Sequence, residues 1–216
     1  MQTRQKFQKL NKKHSANSAS WLTRHINDPY VLRSKMDGYR CRAAYKLQQI
    51  NEKCGLIKPD SVVVDLGAAP GGWSQVAREL LEEGGAVFAL DLLPMEPIAG
   101  VNFIQADFLQ DQWQDQWDLS KGVDVVLSDI APNTTGHKAT DHIKIIAICT
   151  HVFEFSLKVL KPGGALVMKI FQGGTQHQLL HRIKQEFSQI KHYKPDASRK
   201  ESTEMYMVAL NRKAKT

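Results

Sequence analysis

From residue 61 onward, short apolar runs alternate with stretches whose apolar positions recur at helical spacing. Residues 61–66, 86–90, 101–105, 123–127 and 165–170 are nearly continuous runs rich in Val, Leu and Ala, the pattern of strands buried on both faces. Helices are predicted between them over 72–81, about 142–160 and about 175–187. Upstream, Ala43, Ala44, Leu47 and Ile50 keep helical spacing within 39–53, and Gly55 supplies a stop. Lys46 then sits mid-helix beside those apolar positions. Pro162-Gly163-Gly164 punctuates the last parallel step. Residues 204–210 are β-prone with no room for a following helix, so they are expected to close the sheet as a late strand near an edge. The expectation is an α/β fold, mainly a parallel sheet with helices on both faces.

Length changes this picture little: 216 residues suit one domain, read as 21–216 preceded by a basic mobile arm, 1–20, with few apolar residues and no period. No apolar run reaches the roughly 18–20 residues of a membrane helix, and the N-terminus lacks the apolar core of a secretory signal, so a cytoplasmic address without membrane association is expected. Cys41, Cys54 and Cys149 lie far apart with no C-x-x-C pair, which suggests neither disulfides nor zinc. His137, His142 and His151 have no metal-ligand arrangement with nearby acids, so no metal is expected. Without a long coiled-coil pattern, a monomer is expected.

Charge is more informative. Residues 1–46 hold eleven Lys or Arg against Asp28 and Asp37, so the whole net charge of +7 originates in the first fifth of the chain. A polyanionic partner is the simplest explanation.

In an open parallel sheet, ligands bind beyond the carboxyl ends of the strands. Four of those ends are acidic: Asp65 and Asp91 end the first and second strands, and Asp107 and Asp129 follow the third and fourth. Any one alone reads as a cap or turn residue, but four at one rim read as a site. The loop Asp65-Leu66-Gly67-Ala68-Ala69-Pro70-Gly71-Gly72-Trp73 runs from strand into helix, with Gly67, Gly71 and Gly72 allowing close backbone approach. Its spacing is G-x-x-x-G-G, not the G-x-G-x-x-G of dinucleotide sites, and it lacks the Gly-Lys-Ser/Thr of a P-loop. Asp91 is placed to accept from ribose hydroxyls and Asp107 from an adenine amino group. An adenosine carrying a carboxylate instead of pyrophosphate fits, which describes S-adenosylmethionine. Trp73 is either a wall of that pocket or core packing.

Asp65 to Trp73, Asp91-Leu92-Leu93-Pro94-Met95, Ser128-Asp129-Ile130-Ala131-Pro132-Asn133 and Lys169-Ile170-Phe171-Gln172-Gly173 together resemble the signatures of the FtsJ/RlmE methyltransferase family. Lys194-Pro195-Asp196-Ala197-Ser198-Arg199, with Ser202 and Glu204, resembles that family's C-terminal block. The resemblance runs from about Trp21 to Leu210 and implies a Rossmann-like methyltransferase fold using S-adenosylmethionine. It also implies a Lys-Asp-Lys-Glu catalytic tetrad, falling by motif position on Lys46, Asp129, Lys169 and Glu204. Asp129 thereby serves both cofactor and chemistry. The Asp-Leu-Leu-Pro-Met block and the basic N-terminal region favour the ribosomal branch, whose substrate is a uridine ribose in the A-loop of 23S ribosomal RNA, within the large (50S) subunit.

Elementary chemistry agrees with that tetrad. A ribose hydroxyl is a poor nucleophile until its proton leaves, so the enzyme must supply a base and alignment. Lys169, partly desolvated near Lys46, is the expected base, its pKa drawn down by both effects and up by Asp129. Asp129 is assigned to orientation and charge stabilisation, and Glu204 to fixing a lysine or accepting from the ribose. Arg33, Lys35, Arg40 and Arg42 are expected to contact RNA phosphates, the loop 134–141 to border the RNA cleft, and Tyr45 either to stack a base or to pack. Two other functions keep the same fold: methylation of tRNA, and an assembly factor that binds RNA without turnover. A dehydrogenase is disfavoured by the loop spacing.

Overall fold

The computed structural model describes residues 26–131, 137–171 and 177–214. The arm 1–20, Pro132-Asn133, Gln172-Gly173 and residues 134–136 of the loop 134–141 lie outside the described residues, while Lys138 to Asp141 form the first turn of a helix rather than a loop. In chain order the elements are α1 (Pro29–Met36), α2 (Ala44–Cys54), β1 (Val62–Leu66), α3 (Gly72–Glu79), β2 (Ala86–Asp91) and β3 (Val101–Gln105). A 3₁₀ helix (Asp111–Gln116), β4 (Val123–Ser128), α4 (Lys138–Val159), β5 (Leu160–Phe171), α5 (His177–Glu186), β6 (Phe187–Tyr193) and β7 (Glu204–Arg212) follow.

The seven strands form one sheet in the order β3-β2-β1-β4-β5-β7-β6. β1 to β5 run parallel, and β7 pairs antiparallel with both β5 and β6. Alternation along the strands divides the core into two layers. Val63, Val125 and Leu127 pack with Ala44, Leu47 and Ile50 of α2 and Val76 and Ala77 of α3. Val64, Leu66 and Val126 pack on the other face with Val152 and Phe153 of α4 and Leu179 and Ile183 of α5. Burying each such aliphatic side chain contributes about 1.5–3 kcal/mol, so every central strand needs apolar residues on both faces.

Several local features differ from the expectation. α1 was not predicted, although Asp28 caps it by accepting from Tyr30 N at 3.0 Å and Pro29 opens it, both ordinary helix-start signals. α2 begins at Ala44 rather than at residue 39, and Gly55 ends it in a left-handed conformation at φ 60°. Pro162-Gly163-Gly164 lies inside β5 rather than before it: pairing with β4 jumps from Val123↔Leu160 to Val125↔Ala165, and the extra residues bulge. β6 was also unpredicted. It is the edge strand, placing β7 one strand inside the edge.

The order reverses at β1, whose neighbours are β2 and β4. Leu66 of β1 aligns with Ser128 of β4, so Gly67 and Asp129 are the first residues beyond the sheet on either side of this switch point.

Candidate active site

A cavity of about 400 Å³ opens at the switch point, lined among others by Gly67, Ala69, Asp91, Asp107, Phe108, Asp129 and Ile130. The loop after β1 is tied to the end of β2: Gly67 N and Ala68 N donate to Leu90 O, and Ala69 N donates to Asp91 Oδ2 at 2.9 Å. Asp91 Oδ1 accepts from Leu93 N at 2.8 Å. Asp107 is fixed similarly by Leu109 N and Gln110 Nε2. A carboxylate has about four acceptor positions, so both acids keep capacity toward the cavity.

The glycines of this loop answer to different neighbours. Gly67 sits at φ 79°, and a Cβ there would lie 2.4 Å from Ile130 Cγ1, which also lines the cavity. Gly71 and Gly72 instead admit protein: a Cβ would meet Ile98 and Met95 at the former and Cys41 Sγ at the latter. Trp73 is core rather than pocket wall. It is 2% exposed, donates from Nε1 to Ala43 O at 2.8 Å, and packs its ring against Tyr206 at 5.5 Å.

Asp65 is fully buried behind the loop. Ser74 Oγ donates to its Oδ2 at 2.6 Å, while Oδ1 has no hydrogen-bond partner. Burial pushes its pKa up to about 7, the Ser74 hydrogen bond opposes that, and the charges of Asp129 and Asp91 add to the rise. Among the described residues, the cavity lining therefore holds three carboxylates and no basic side chain, with a fourth carboxyl buried behind it. Such a lining repels pyrophosphate and favours a cationic ligand with donor hydroxyls and amines.

The four residues of the expected tetrad converge. Lys169 on β5 faces Tyr206 on β7 in the antiparallel register, and Phe171 faces Glu204. Lys169 Nζ lies 2.7 Å from Asp129 Oδ1 and donates to Asp129 O at 2.7 Å. Lys46 Nζ, reaching across from α2, lies 2.7 Å from Glu204 Oε1 and donates to Tyr206 Oη at 3.0 Å. Tyr206 Oη donates to Asp129 Oδ1 at 2.5 Å. One continuous network thus runs Glu204, Lys46, Tyr206, Asp129, Lys169, with two cations balancing two anions. Burial pushes the Asp129 pKa up, but the charges of Lys169 and Lys46 and the hydrogen bonds from Lys169 and Tyr206 outweigh it and hold the carboxyl below its ordinary value. Burial, then the charges of Asp129 and Glu204, raise Tyr206 well above a normal phenol, so it remains a donor.

Comparison with known proteins decides the family. The FtsJ-like methyltransferase model matches residues 39–212. The chain belongs to the FtsJ-like methyltransferase family. It is similar to the ribosomal RNA large subunit methyltransferase E of Rickettsia rickettsii, 50% identical over 95% of this chain and 93% of that protein. The protein of the same name from Rickettsia bellii is 51% identical with the same coverage. Among solved structures, one assigned as a ribosomal RNA methyltransferase from Plasmodium falciparum is similar at 26% identity, with a TM-score of 0.72, over 82% of this chain and 100% of that one.

In this FtsJ-like chain a second cavity, of about 380 Å³, lies at the other end of the network, lined by Arg42, Ala43, Lys46, Arg199, Glu201, Ser202 and Glu204. Of the residues expected to contact RNA, Arg42 lines this pocket, while Arg33 and Lys35 lie exposed on α1. Arg40 is diverted. Its guanidinium donates to Pro70 O at 3.2 Å, Glu96 O at 2.5 Å and Pro97 O at 2.7 Å, joining the loops after β1 and β2. Tyr45 packs rather than presenting a stacking face: it is 2% exposed and its hydroxyl donates to Asp37 at 2.8 Å.

Sequence reasoning missed Tyr206 and Ser74, and gave Arg199 no place in this pocket. Glu204-x-Tyr206 on a strand puts both side chains on one face, which was the available signal for Tyr206. Among the described residues, no group of three His, Cys, Asp or Glu could hold a metal, and no helix is long and apolar enough to cross a membrane.

Proposed function

We propose that the protein transfers the methyl group of S-adenosylmethionine to the ribose 2′-hydroxyl of a uridine in the A-loop of 23S ribosomal RNA, within the large ribosomal subunit. The observation that carries this reading is the buried network joining two unlike cavities. Asp129 lines the acidic cavity, and Lys46 and Glu204 line the pocket that contains two arginines. A cationic cofactor suits the first and an RNA chain the second, with proton-transfer groups between them.

Asp91 and Asp107 would hold the ribose and adenine of the cofactor by their remaining acceptor positions, and Asp65 and Asp129 offset its positive charge. Bound there, S-adenosylmethionine supplies an electrophilic methyl on a sulfonium. The protein's own work is at the ribose oxygen. Lys169 Nζ takes the proton leaving the 2′-hydroxyl, and the freed electron pair is then available to the methyl carbon. Asp129 aims Lys169 and counters the ammonium that forms. Tyr206 holds the Asp129 carboxylate in one orientation. Lys46, fixed by Glu204, lines the RNA-side pocket and would orient the ribose there. The names of the Rickettsia relatives support ribosomal RNA as substrate, and the basic first fifth of the chain supports a polyanion.

The test offers labelled cofactor with either undermethylated large ribosomal particles or unmodified tRNA, followed by nuclease digestion. A 2′-O-methyluridine in the particle's A-loop is expected. Label on tRNA alone, or on a base, overturns the reading.

A further inference from the structure

Beside the RNA-side pocket, two guanidinium groups share one carboxylate oxygen. Arg42 forms an ion pair with Asp28 Oδ2, and Arg199 Nε lies 3.7 Å from that same atom. Arg42 and Arg199 line the pocket with Lys46 and Glu204; Asp28 does not line it and is only 9% exposed. The two arginines come from opposite ends of the sequence. The turn carrying Arg199 is fastened by Arg42 Nη2 donating to Ala197 O and by Ala197 N donating to Gln49 Oε1 at 3.0 Å. Arg42 is largely consumed by these contacts, its side chain 15% exposed, whereas Arg199 is 31% exposed and keeps its terminal nitrogens for the pocket.

Resting on the proposed RNA substrate, we propose that Asp28 is a positioning residue for RNA: one buried carboxylate that clamps Arg42 and Arg199 together, so that Arg199 presents its fork to a phosphate flanking the target ribose. Two like charges this close repel, and burial beside Arg199 already disfavours the charged form of Arg42. Removing the shared anion releases the pair, and the more exposed Arg199 swings away. A guanidinium fork binds phosphate through two parallel hydrogen bonds only when its orientation is fixed.

This role predicts an unusual sign. Deleting an acid near an RNA-binding surface ordinarily tightens RNA binding by reducing repulsion; deleting this one weakens it. Asp28→Asn separates the roles, because asparagine caps a helix about as well as aspartate and keeps the bond to Tyr30 N while losing the charge. With undermethylated large ribosomal particles, Asp28→Asn is expected to raise the RNA KM about tenfold, with kcat within about twofold and cofactor Kd unchanged. Glu201→Gln, which removes an acid of the same pocket, is expected to lower that KM. In an Arg199→Ala background, Asp28→Asn should add less than about twofold. An unchanged or lowered KM for Asp28→Asn overturns the proposal, as does a full additional loss in the Arg199→Ala background, which holds even if the single variant is partly destabilised. Failure of wild type to methylate the particles would instead overturn the proposed function.

Discussion

Lys169 and Tyr206 face each other across the antiparallel pairing of β5 and β7, and both end on the same oxygen, Asp129 Oδ1, at 2.7 and 2.5 Å. The phenol therefore fixes the carboxylate that aims the lysine. Tyr206→Phe keeps the ring packed against Trp73 and removes only the hydroxyl. A hydrogen bond to a charged group is worth about 1.5–3 kcal/mol, so kcat is expected to fall roughly 10–100-fold. Cofactor Kd, measured by calorimetry, should stay within about threefold of wild type.

Arg40 lies in the basic N-terminal region, yet its guanidinium is spent on the carbonyls of Pro70, Glu96 and Pro97. Arg40→Ala should loosen the loop beside Gly71 and weaken cofactor binding about tenfold or more, the cost of losing charged hydrogen bonds. The salt dependence of RNA binding should be unchanged, whereas loss of a phosphate contact reduces its slope by about one. A reduced slope with normal cofactor affinity would return Arg40 to the RNA surface.

Asp65 gives a pH signature. Its folded pKa of about 7 lies above the ordinary carboxyl value of 3.8, so between these values the folded protein binds more protons than the unfolded chain. Stability contributed by this group is present at low pH and lost as pH rises toward 7, by at most about 1.4 kcal/mol per unit. Asp65→Asn should therefore gain stability relative to wild type from about pH 4 to 7 and show a constant difference above that, measured by denaturant unfolding. Cofactor binding follows the opposite course: a cation stabilises the ionised carboxylate, so wild-type affinity should rise through pH 7 and that rise should vanish in Asp65→Asn.

Gly67→Ala tests the close approach at the switch point. Its φ of 79° disfavours any side chain, and the methyl would sit 2.4 Å from Ile130 Cγ1. Together these should cost about 1–3 kcal/mol of stability, visible as a lowered thermal midpoint, with weakened cofactor binding.

The parallel strands were legible because each must be apolar on both faces, and the acids just past them marked the rim that carries Asp91, Asp107 and Asp129. β6 was not legible. Its more buried residues, Phe187, Ile190 and Tyr193, are spaced by three among polar residues, which contradicts the period of two expected of a strand. α1 carried a legible start signal in Asp28-Pro29, but only eight residues with no strong apolar period follow it. Lys46, Asp129, Lys169 and Glu204 were brought forward by motif position, and the structure brings their side chains together. Tyr206 was hidden because its meaning depends on which strand pairs with β5. Arg40 and Arg42, two residues apart, read identically as basic residues. Only the folded loops reveal that one is held by backbone carbonyls while the other lines the pocket.

In the proposed reaction Lys169 takes the ribose proton. Single-turnover methylation of undermethylated large ribosomal particles by wild type and Lys169→Met, with cofactor Kd measured on the same preparations, tests it most directly. A loss of about 10²–10⁴-fold in the transfer step is expected, with cofactor Kd within about threefold. A Lys169→Met enzyme that binds cofactor normally and transfers the methyl within about threefold of the wild-type rate would contradict it.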